Sequence, residues 1–220
     1  MYVGILSDVH GNLPALEAVL EDMPAVDSVV CVGDVVGYNP WPAACVDRVM
    51  NIADDIVQGN HDRMVHTPHV YSNPLARAGL EFAKRQLSHE QLRWLEQLPR
   101  KSTVAEDQFL LVHDHPNIQD RYVFPPEFET LTKYLEDRRG LILGHTHVQH
   151  AATIDDKLLI NPGSVGQPRD DDPRAAYAVL DTDEQSVELR RTRYDVDAVI
   201  SKVENTELPI EIGTRLLDGS

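Results

Sequence analysis

Residue types that bind transition metals follow several short apolar segments of this chain. Gly144-His145-Thr146-His147 comes directly after Leu141-Ile142-Leu143, which is typical of a buried strand. The glycine permits a sharp turn there, and the two imidazoles, two residues apart, point to the same side. Neutral imidazole is a common metal ligand. Taken alone, the tetrapeptide is equally well explained as a pair of exposed histidines.

Earlier strands predicted over 2–7, 28–32, 54–58 and 108–112 end in the same way. The carboxyl ends of parallel strands meet at one edge of a sheet, so we expect the polar residues that follow them to gather there. These residues are Asp8, His10, Asp34, Asn60, His61, His113, His145 and His147. Individually, Asp8 could cap the next helix and His10 could be a surface loop residue.

The chemistry of this set favours a pair of metal ions. Two carboxylates, one amide and four imidazoles are enough to hold two ions, and His61 is then left over. Mixed oxygen and nitrogen ligands without a thiolate suit Mn²⁺, Fe, Zn²⁺, Ni²⁺ or Co²⁺ better than an all-oxygen Ca²⁺ site.

Alternating strands and helices predict an α/β core with mainly parallel strands in the first two thirds of the chain. We expect helices over 13–22, 42–51, 73–86, 88–98, 126–137 and 195–204. Asn12 is placed to cap the first of these, and Ser88 with Gln91 has capping-box spacing. After residue 148 the pattern changes to antiparallel strands over 148–154, 157–160, 175–181 and 186–193.

A loop rich in glycine and proline, residues 161–169, lies between two of these later strands. Its backbone N–H groups and one guanidinium could cradle a phosphate, with Asn161, Ser164 and Arg169 as candidate substrate-binding residues. A plain structural turn is the alternative interpretation.

Composition restricts the class of partner. The 220 residues include 36 acidic and 20 basic ones, for a formal net charge of −16. Such a chain repels nucleic acid and anionic membranes, and abundant acidic residues with scarce lysine suggest adaptation to a salty, halophilic cytoplasm.

Cys31 and Cys45 lack zinc-type spacing, so we expect buried reduced thiols. No signal peptide and no apolar run near ~20 residues is recognisable, which favours a cytoplasmic protein.

The order of the polar blocks resembles that of the calcineurin-like metallophosphoesterases: Asp8-x-His10, Gly33-Asp34, Gly59-Asn60-His61-Asp62, His113 and Gly144-His145-x-His147. Residues 7–12, 33–40 and 161–169 are similar to the small prokaryotic branch, described as phosphodiesterases or as similar to diadenosine tetraphosphatases. The resemblance covers residues 1 to about 194. It implies two facing mixed β-sheets flanked by helices, a four-layer αββα sandwich, with one domain over 1–204 and a tail over 205–220.

By this resemblance, one metal ion would be held by Asp8, His10, Asp34 and His147. The other would be held by Asp34, Asn60, His113 and His145. Asp34 would bridge the two ions, for which we expect Mn²⁺ first. Two cations roughly 3.5–4 Å apart activate a bridging hydroxide for in-line attack on a phosphoester or phosphoanhydride of a small molecule or nucleotide. His61 would protonate the leaving alkoxide as general acid.

Some positions depart from the family pattern. Asp114 and His115 stand where small-branch relatives commonly have glycine and a small residue. Asp114 could be a partner for a ligand imidazole, or it could disfavour heavily anionic substrates; no role is indicated for His115. Asp62 either orients His61 or caps the next helix. The large Ser/Thr phosphatases carry a carboxylate at the position of Gly37, which argues against protein phosphatase activity.

Other functions remain as alternatives. A non-catalytic metal-binding scaffold of the same fold would be expected to have lost the acid or a ligand, but His61 and all seven ligand candidates are present. Within enzymes, a phosphomonoesterase and a nuclease stay open, although the acidic composition disfavours a nuclease. A domain with merely scattered histidines would require five ordered coincidences. A homo-oligomer is compatible with the resemblance, but no segment indicates an interface.

Overall fold

The computed structural model describes residues 1–220. The strands are β1 (Tyr2–Leu6), β2 (Ser28–Cys31), β3 (Asp55–Ile56), β4 (Lys101–Val104), β5 (Phe109–Val112), β6 (Gly140–Ile142), β7 (His150–Ile154), β8 (Lys157–Asn161), β9 (Ala175–Asp181) and β10 (Ser186–Thr192). The α-helices are α1 (Leu13–Asp22), α2 (Pro42–Ile52), α3 (Asn60–Met64), α4 (Pro74–Gln86), α5 (His89–Gln97), α6 (Val196–Glu204) and α7 (Glu211–Thr214). None of the helices is both long and apolar enough to cross a membrane.

The strands form two five-stranded sheets, each with parallel and antiparallel pairs. The order is β10-β9-β1-β2-β3 in the first sheet and β4-β5-β6-β8-β7 in the second. Strands β1, β2 and β3 are parallel, and so are β5, β6 and β8. The hairpin strands β9, β10, β4 and β7 are antiparallel to their neighbours. The predicted fold of two facing mixed sheets flanked by helices is confirmed.

The two sheets pack face to face through apolar side chains. One buried cluster joins Val3 and Ile5 of β1 to Phe109 and Leu111 of β5. The opposite face of the first sheet packs against α1, α2, α4 and α5, and Leu6 of β1 belongs to that outer cluster. Because β1 is covered on both faces, its sequence is almost continuously apolar instead of alternating.

Local capping signals position two of these helices as predicted. The Asn12 side chain accepts a hydrogen bond from the N–H of Ala15 at 3.2 Å. Ser88 and Gln91 form the expected capping box, with reciprocal side-chain to backbone hydrogen bonds of 3.2 and 2.9 Å. Such caps satisfy N–H groups that have no partner within the helix.

The α-helix predicted over 126–137 is wrong. Short 3₁₀ helices cover Pro125–Thr130 and Thr132–Tyr134 instead. Phe128, Leu131 and Leu135 are buried against the second sheet, so the apolar spacing that suggested a helix is real. The Thr130 hydroxyl donates to the Glu127 carbonyl at 2.7 Å, and such side-chain bonds compete with regular helical pairing.

Two further segments differ from the sequence prediction. The strand expected at 54–58 is only the two residues of β3. The Asn60-His61-Asp62 block forms the first turn of α3, which periodicity did not predict because the helix has only five residues.

The segment after residue 204 folds against the rest of the chain. Ile212 and Leu216 are buried in a cluster with Tyr38, Phe82 and Val199. The domain boundary at residue 204 stays a prediction, but the residues beyond it pack beside the edge of the sheet where the polar blocks lie.

Candidate metal centre

The candidate ligands lie at the carboxyl ends of the parallel strands, as predicted. Left-handed backbone angles occur at many of them: φ is 52° at Asp8, 48° at His10, 54° at Asp34, 70° at His145 and 60° at His147. Few non-glycine residues adopt this conformation, and such strain concentrates at functional sites. Hydrogen bonds between the loops hold it in place, including Asp8 N–H to the Gly33 carbonyl at 3.0 Å and His10 N–H to the Asp34 carbonyl at 2.9 Å.

One group of ligand atoms comes from Asp8, His10 and His147, all buried, with the atoms within 4.8 Å of one another. His147 Nε2 lies 3.2 Å from Asp8 Oδ1, and His10 Nε2 lies 3.7 Å from the same oxygen. Asp8 Oδ1 has no hydrogen-bond donor although it is buried. The other oxygen, Oδ2, accepts from the Ser7 hydroxyl at 2.6 Å and the His145 N–H at 3.1 Å.

The second group comes from Asp34, His113 and His145, again within 4.8 Å. Asn60 joins it, because its Oδ1 lies 3.1 Å from His113 Nε2 while its amide nitrogen donates to the Tyr71 hydroxyl at 2.8 Å. The Asn60 amide oxygen therefore faces the cluster, and its nitrogen faces Tyr71.

Asp34 stands between the two groups. Its Oδ2 is 3.6 Å from His10 Nε2 and 3.4 Å from His113 Nε2. Its Oδ1 accepts the His61 N–H at 2.7 Å. One carboxylate oxygen thus faces imidazoles of both groups, which is the position expected of a bridging ligand.

The hydrogen-bond pattern shows that these residues fit cations. His10 Nδ1 lies 3.1 Å from the Val36 carbonyl and His147 Nδ1 lies 2.5 Å from the Gln167 carbonyl. A carbonyl only accepts, so each Nδ1 carries the proton and each Nε2 presents a lone pair in the neutral ring. These two Nε2 atoms are 3.1 Å apart. Two facing lone pairs beside the Asp8 carboxylate require positive charge between them.

Buried charge shifts the pKa values of the cluster strongly. Burial would raise the pKa of Asp34, but His113 and His61 hold it well below its usual range. Burial would lower the pKa of His113, but the Asp34 carboxylate raises it to about 10. Burial lowers the pKa of His145 to about 4, so this imidazole is neutral at pH 7 and available as a ligand.

His61 also lies at the cluster, grouped with His10 and Asp34. Its Nδ1 is buried without a partner. Burial lowers its pKa to about 4, with Arg169 contributing in the same direction. Gly37 leaves the space that the ring needs, because a Cβ on Gly37 would lie 2.2 Å from His61 Nδ1. The absence of the carboxylate that the large Ser/Thr phosphatases carry at position 37 therefore has a steric explanation.

Asp62 braces two loops instead of contacting the His61 ring. Its carboxylate accepts N–H groups of Asp34 at 2.7 Å, Val35 at 2.9 Å, Val36 at 3.2 Å and Gly59 at 3.0 Å. The Gly59 contact is the helix cap of α3 that was one of the two predicted roles. The remaining contacts hold the loop that carries Asp34.

Two of the three predicted substrate-binding residues support the ligand loops. Asn161 donates to the Gly144 carbonyl and to the Thr146 hydroxyl, both at 2.9 Å. The Ser164 hydroxyl donates to the Asp8 carbonyl at 2.7 Å. Neither side chain lines the adjoining cleft, whereas Arg169 does. The structure places Asn161 and Ser164 as supports of these loops in place of the predicted substrate contact.

Asp114 and His115 belong to a loop that closes over the second ligand group. Asp114 accepts from Arg100 at 2.9 Å and from the N–H of Asp120, and it contacts no ligand imidazole directly. The Asp120 carbonyl in turn lies 3.3 Å from His145 Nε2, which leaves Nδ1 of His145 for a metal. His115 Nδ1 accepts the N–H groups of Asn117 and Ile118 and so stabilises a turn in this loop.

A cleft of about 490 Å³ opens beside the cluster, with Asn60 and His145 in its wall. The sequence did not indicate most of the residues that line it, including Tyr38, Arg63, Tyr71, Tyr122 and Arg215. Tyr38 was within a quoted motif, and Arg63 follows Asp62 directly. Nothing local to Tyr122 or Arg215 indicates a site, because only long-range packing brings their segments to the cleft.

The comparisons with known proteins agree with this geometry. Residues 1–185 match the family model described as the calcineurin-like phosphoesterase superfamily domain. The chain belongs to this superfamily. It is a metal-dependent phosphoesterase, and the groups of Asp and His side chains described above could bind metal ions.

The alignments with similar proteins cover most or all of this metallophosphoesterase chain. It is 31% identical to the uncharacterized protein MJ0912 of Methanocaldococcus jannaschii over an alignment of 241 positions, covering 99% of this chain and 98% of that protein. It is 30% identical to the phosphodiesterase YfcE of Escherichia coli K12, over 82% of this chain and 88% of that one. The crystal structure of a metallophosphoesterase from Sphaerobacter thermophilus superposes with a TM-score of 0.87 at 34% identity, with both chains fully covered.

Proposed function

We propose that this metallophosphoesterase hydrolyses phosphodiester or phosphoanhydride bonds of small molecules, including nucleotides, with two divalent cations. The observation that carries the proposal is the position of Asp34 Oδ2, which faces His10 Nε2 at 3.6 Å and His113 Nε2 at 3.4 Å. A site for one ion would not need two groups of ligands that share a carboxylate oxygen. The phosphodiesterase name of the Escherichia coli relative supports the choice of substrate.

The residues divide between the two ions as follows. Asp8, His10 and His147 would hold one ion, Asn60, His113 and His145 would hold the other, and Asp34 would contact both. When bound, such a pair lowers the pKa of a shared water and offsets negative charge on the phosphate oxygens. Oxygen and nitrogen ligands without a thiolate favour Mn²⁺, with Fe, Ni²⁺, Zn²⁺ and Co²⁺ as alternatives.

His61 would donate the proton that the leaving alkoxide needs. Its backbone N–H is held by Asp34, which places the ring beside the ligand groups. Burial keeps its pKa near 4 in the free site, so the imidazole must gain its proton when substrate binds. An anionic phosphoryl group favours the protonated ring and raises that pKa.

The net charge of the chain suits a small substrate, and its two free thiols suit a reducing compartment. A net charge of −16 opposes the 6–10 phosphate contacts, roughly, that tight duplex binding uses. Cys31 and Cys45 are free and buried, and burial raises the pKa of both thiols. We therefore propose a cytoplasmic enzyme that acts on small phosphoesters and not on nucleic acid.

The test is hydrolysis of bis-p-nitrophenyl phosphate, beside p-nitrophenyl phosphate, with Mn²⁺ in high salt. Metal content is measured in parallel by mass spectrometry. We expect diester turnover that depends on metal and about two bound ions per chain. His61→Ala should reduce kcat by about 10²–10⁴-fold, the usual range for loss of a general acid, while retaining metal.

His89→Ala is the matched control, because His89 is exposed at the start of α5 and outside the cluster. It should keep wild-type kcat and metal content. Tight metal binding without turnover of either ester would instead favour the non-catalytic scaffold. Preference for the monoester would make the enzyme a phosphomonoesterase, and failure to bind metal would refute the assignment of the site.

A further inference from the structure

Two arginines reach the cleft beside the metal centre from separate parts of the chain. Arg169 belongs to the loop between β8 and β9, and Arg215 belongs to the short 3₁₀ helix Arg215–Leu217 near the C-terminus. Arg215 lies beyond residue 185, where the match to the family model ends. The family model therefore does not cover this part of the cleft wall.

Neither arginine has an Asp or Glu carboxylate within 4.0 Å, although acidic residues outnumber basic ones in this chain. Arg63, in the same cleft, is paired with Asp120 at 2.8 Å. Arg169 instead donates to the Gln167 side-chain oxygen at 2.7 Å and to the Tyr38 hydroxyl at 3.2 Å. Arg215 donates to an oxygen of Ser220, the last of the 220 residues, from Nε at 2.7 Å and also from Nη2.

The two guanidinium groups line one cleft, whose wall also includes Asn60 and His145 of the ligand cluster. Burial, and then the charge of Arg169, lower the pKa of Arg215, but a guanidinium keeps its charge at neutral pH. Tyr38 connects Arg169 to the metal centre, because its hydroxyl accepts from Arg169 and its ring centroid is 4.9 Å from those of His10 and His61. Two like charges that face one cleft favour the binding of an anion between them.

We propose that Arg169 and Arg215 bind a second anionic group of the substrate, a phosphate next to the one that is cleaved. Guanidinium forks are suited to phosphate oxygens, to which they donate paired hydrogen bonds. The preferred substrates would be phosphoanhydrides or nucleotides with an adjacent phosphate, and simple diesters would be poorer. This inference rests on the proposed function, since it names the substrate class of the same site.

The test compares two ligands that differ by one phosphate, AMP and α,β-methylene-ADP, which resists hydrolysis between its phosphates. Their affinities for the Mn²⁺-loaded protein are measured by titration calorimetry, with free metal kept saturating. We expect α,β-methylene-ADP to bind at least about tenfold more tightly, as charge-assisted hydrogen bonds to a second phosphate allow. Arg215→Gln and Arg169→Gln should each reduce that ratio towards one.

Arg93→Gln is the matched control, because Arg93 is exposed on α5 and outside the cleft. It removes the same charge and should keep the wild-type ratio. Circular dichroism checks that each variant is folded. Arg215→Lys, which keeps the charge but loses the fork, should retain part of the preference and provides a second test if Arg215→Gln unfolds.

Three results would overturn the proposal. Equal affinity for the two nucleotides in the wild type would mean that the second phosphate has no site. An unchanged ratio in both glutamine variants would mean that the metal ions alone bind it. If AMP with added inorganic phosphate binds as tightly as α,β-methylene-ADP, the arginines hold a free anion. Failure of the proposed function is distinct, because it would appear as absence of metal-dependent turnover.

Discussion

Single residues make room for His61, the proposed general acid, at this site. Gly37 has a φ of 101°, a conformation that L-residues rarely adopt, and it faces the His61 ring. Gly59 also has no room for a side chain, because a Cβ there would lie 2.0 Å from Asp34 Oδ1. These two positions let His61, the proposed general acid, and the Asp34 carboxylate approach within one hydrogen bond of each other.

Replacing Gly37 with alanine should therefore displace His61. The new Cβ would overlap Nδ1, and the positive φ adds strain of about 1–2 kcal/mol. We expect kcat for bis-p-nitrophenyl phosphate to fall by at least about tenfold with metal content retained, measured by steady-state kinetics. Gly4→Ala in β1 is the control, since its Cβ would meet only the flexible end of the Met23 side chain. Equal kcat in Gly37→Ala and wild type would contradict the steric role.

His113 should lose a proton when metal binds. Its pKa of about 10 in the free site means that Nε2 is protonated at pH 8, and a metal ligand must be deprotonated. We expect calorimetry at pH 8, in buffers of different ionisation enthalpy, to detect release of about one proton per chain. Apparent metal affinity should accordingly rise with pH up to about 10. A heat of binding that is the same in every buffer would refute this assignment.

At the scale of elements, the site depends on the junction between the loop after β2 and the start of α3. Asp62 links them through four backbone N–H groups, three in residues 34–36 and one at Gly59. Asp34 and Asn60 are supplied by the two sides of this junction. Both ligands therefore depend on a side chain that itself contacts no imidazole.

Asp62→Asn should loosen this junction. The amide keeps one acceptor oxygen but turns an NH₂ group towards backbone donors, so we expect a loss of about 1–3 kcal/mol in the free energy of unfolding. Metal affinity should fall about 10–100-fold, as for other residues that orient ligands. Denaturant unfolding and metal titration measure the two effects.

Asp54→Asn is the control for this change. Asp54 also accepts a backbone N–H, that of Val29 at 3.0 Å, and the Ser28 hydroxyl at 2.9 Å, but at the opposite end of the strands. It should affect stability without affecting metal binding. If Asp54→Asn weakens metal binding as much as Asp62→Asn does, the junction has no special role.

At the scale of the whole molecule, the fold separates a few buried carboxylates from a strongly acidic surface. The buried acidic residues are Asp8, Asp34, Asp62 and Asp114, and all of them lie in the candidate site or in the loops that support it. The rest of the acidic surplus is at least partly exposed. Self-repulsion of this surface opposes the compact state and is screened by salt.

Salt should therefore stabilise the folded chain, as the composition predicted. We expect the thermal unfolding midpoint to rise between 0.05 and about 1 M KCl, by about 2–4 °C for each kcal/mol gained at this chain length. Most of the rise should occur below about 0.5 M if screening is responsible, since the Debye length is already short there. A midpoint independent of KCl, with full refolding at low salt, would count against halophilic adaptation.

Much of the fold could be predicted from local patterns. Apolar runs that ended in polar blocks indicated the strands and the edge at which Asp34 and His113 meet, because parallel strands share their direction. The 126–137 segment could not be predicted in the same way, since buried Phe128 and Leu131 have spacing that suits an α-helix and a 3₁₀ helix alike. The assignment of metal ligands stays a prediction that the geometry supports.

The sequence by itself determined the chemical character of the centre, because the donor types and their order along the chain are properties of the residues. Only the tertiary structure decided that Asp34 Oδ2 faces both ligand groups, that Gly37 makes room for His61, and that Arg215 borders the cleft. Each of these contacts joins segments far apart in the chain. Such contacts arise from the packing of sheets, helices and loops, which no local spacing specifies.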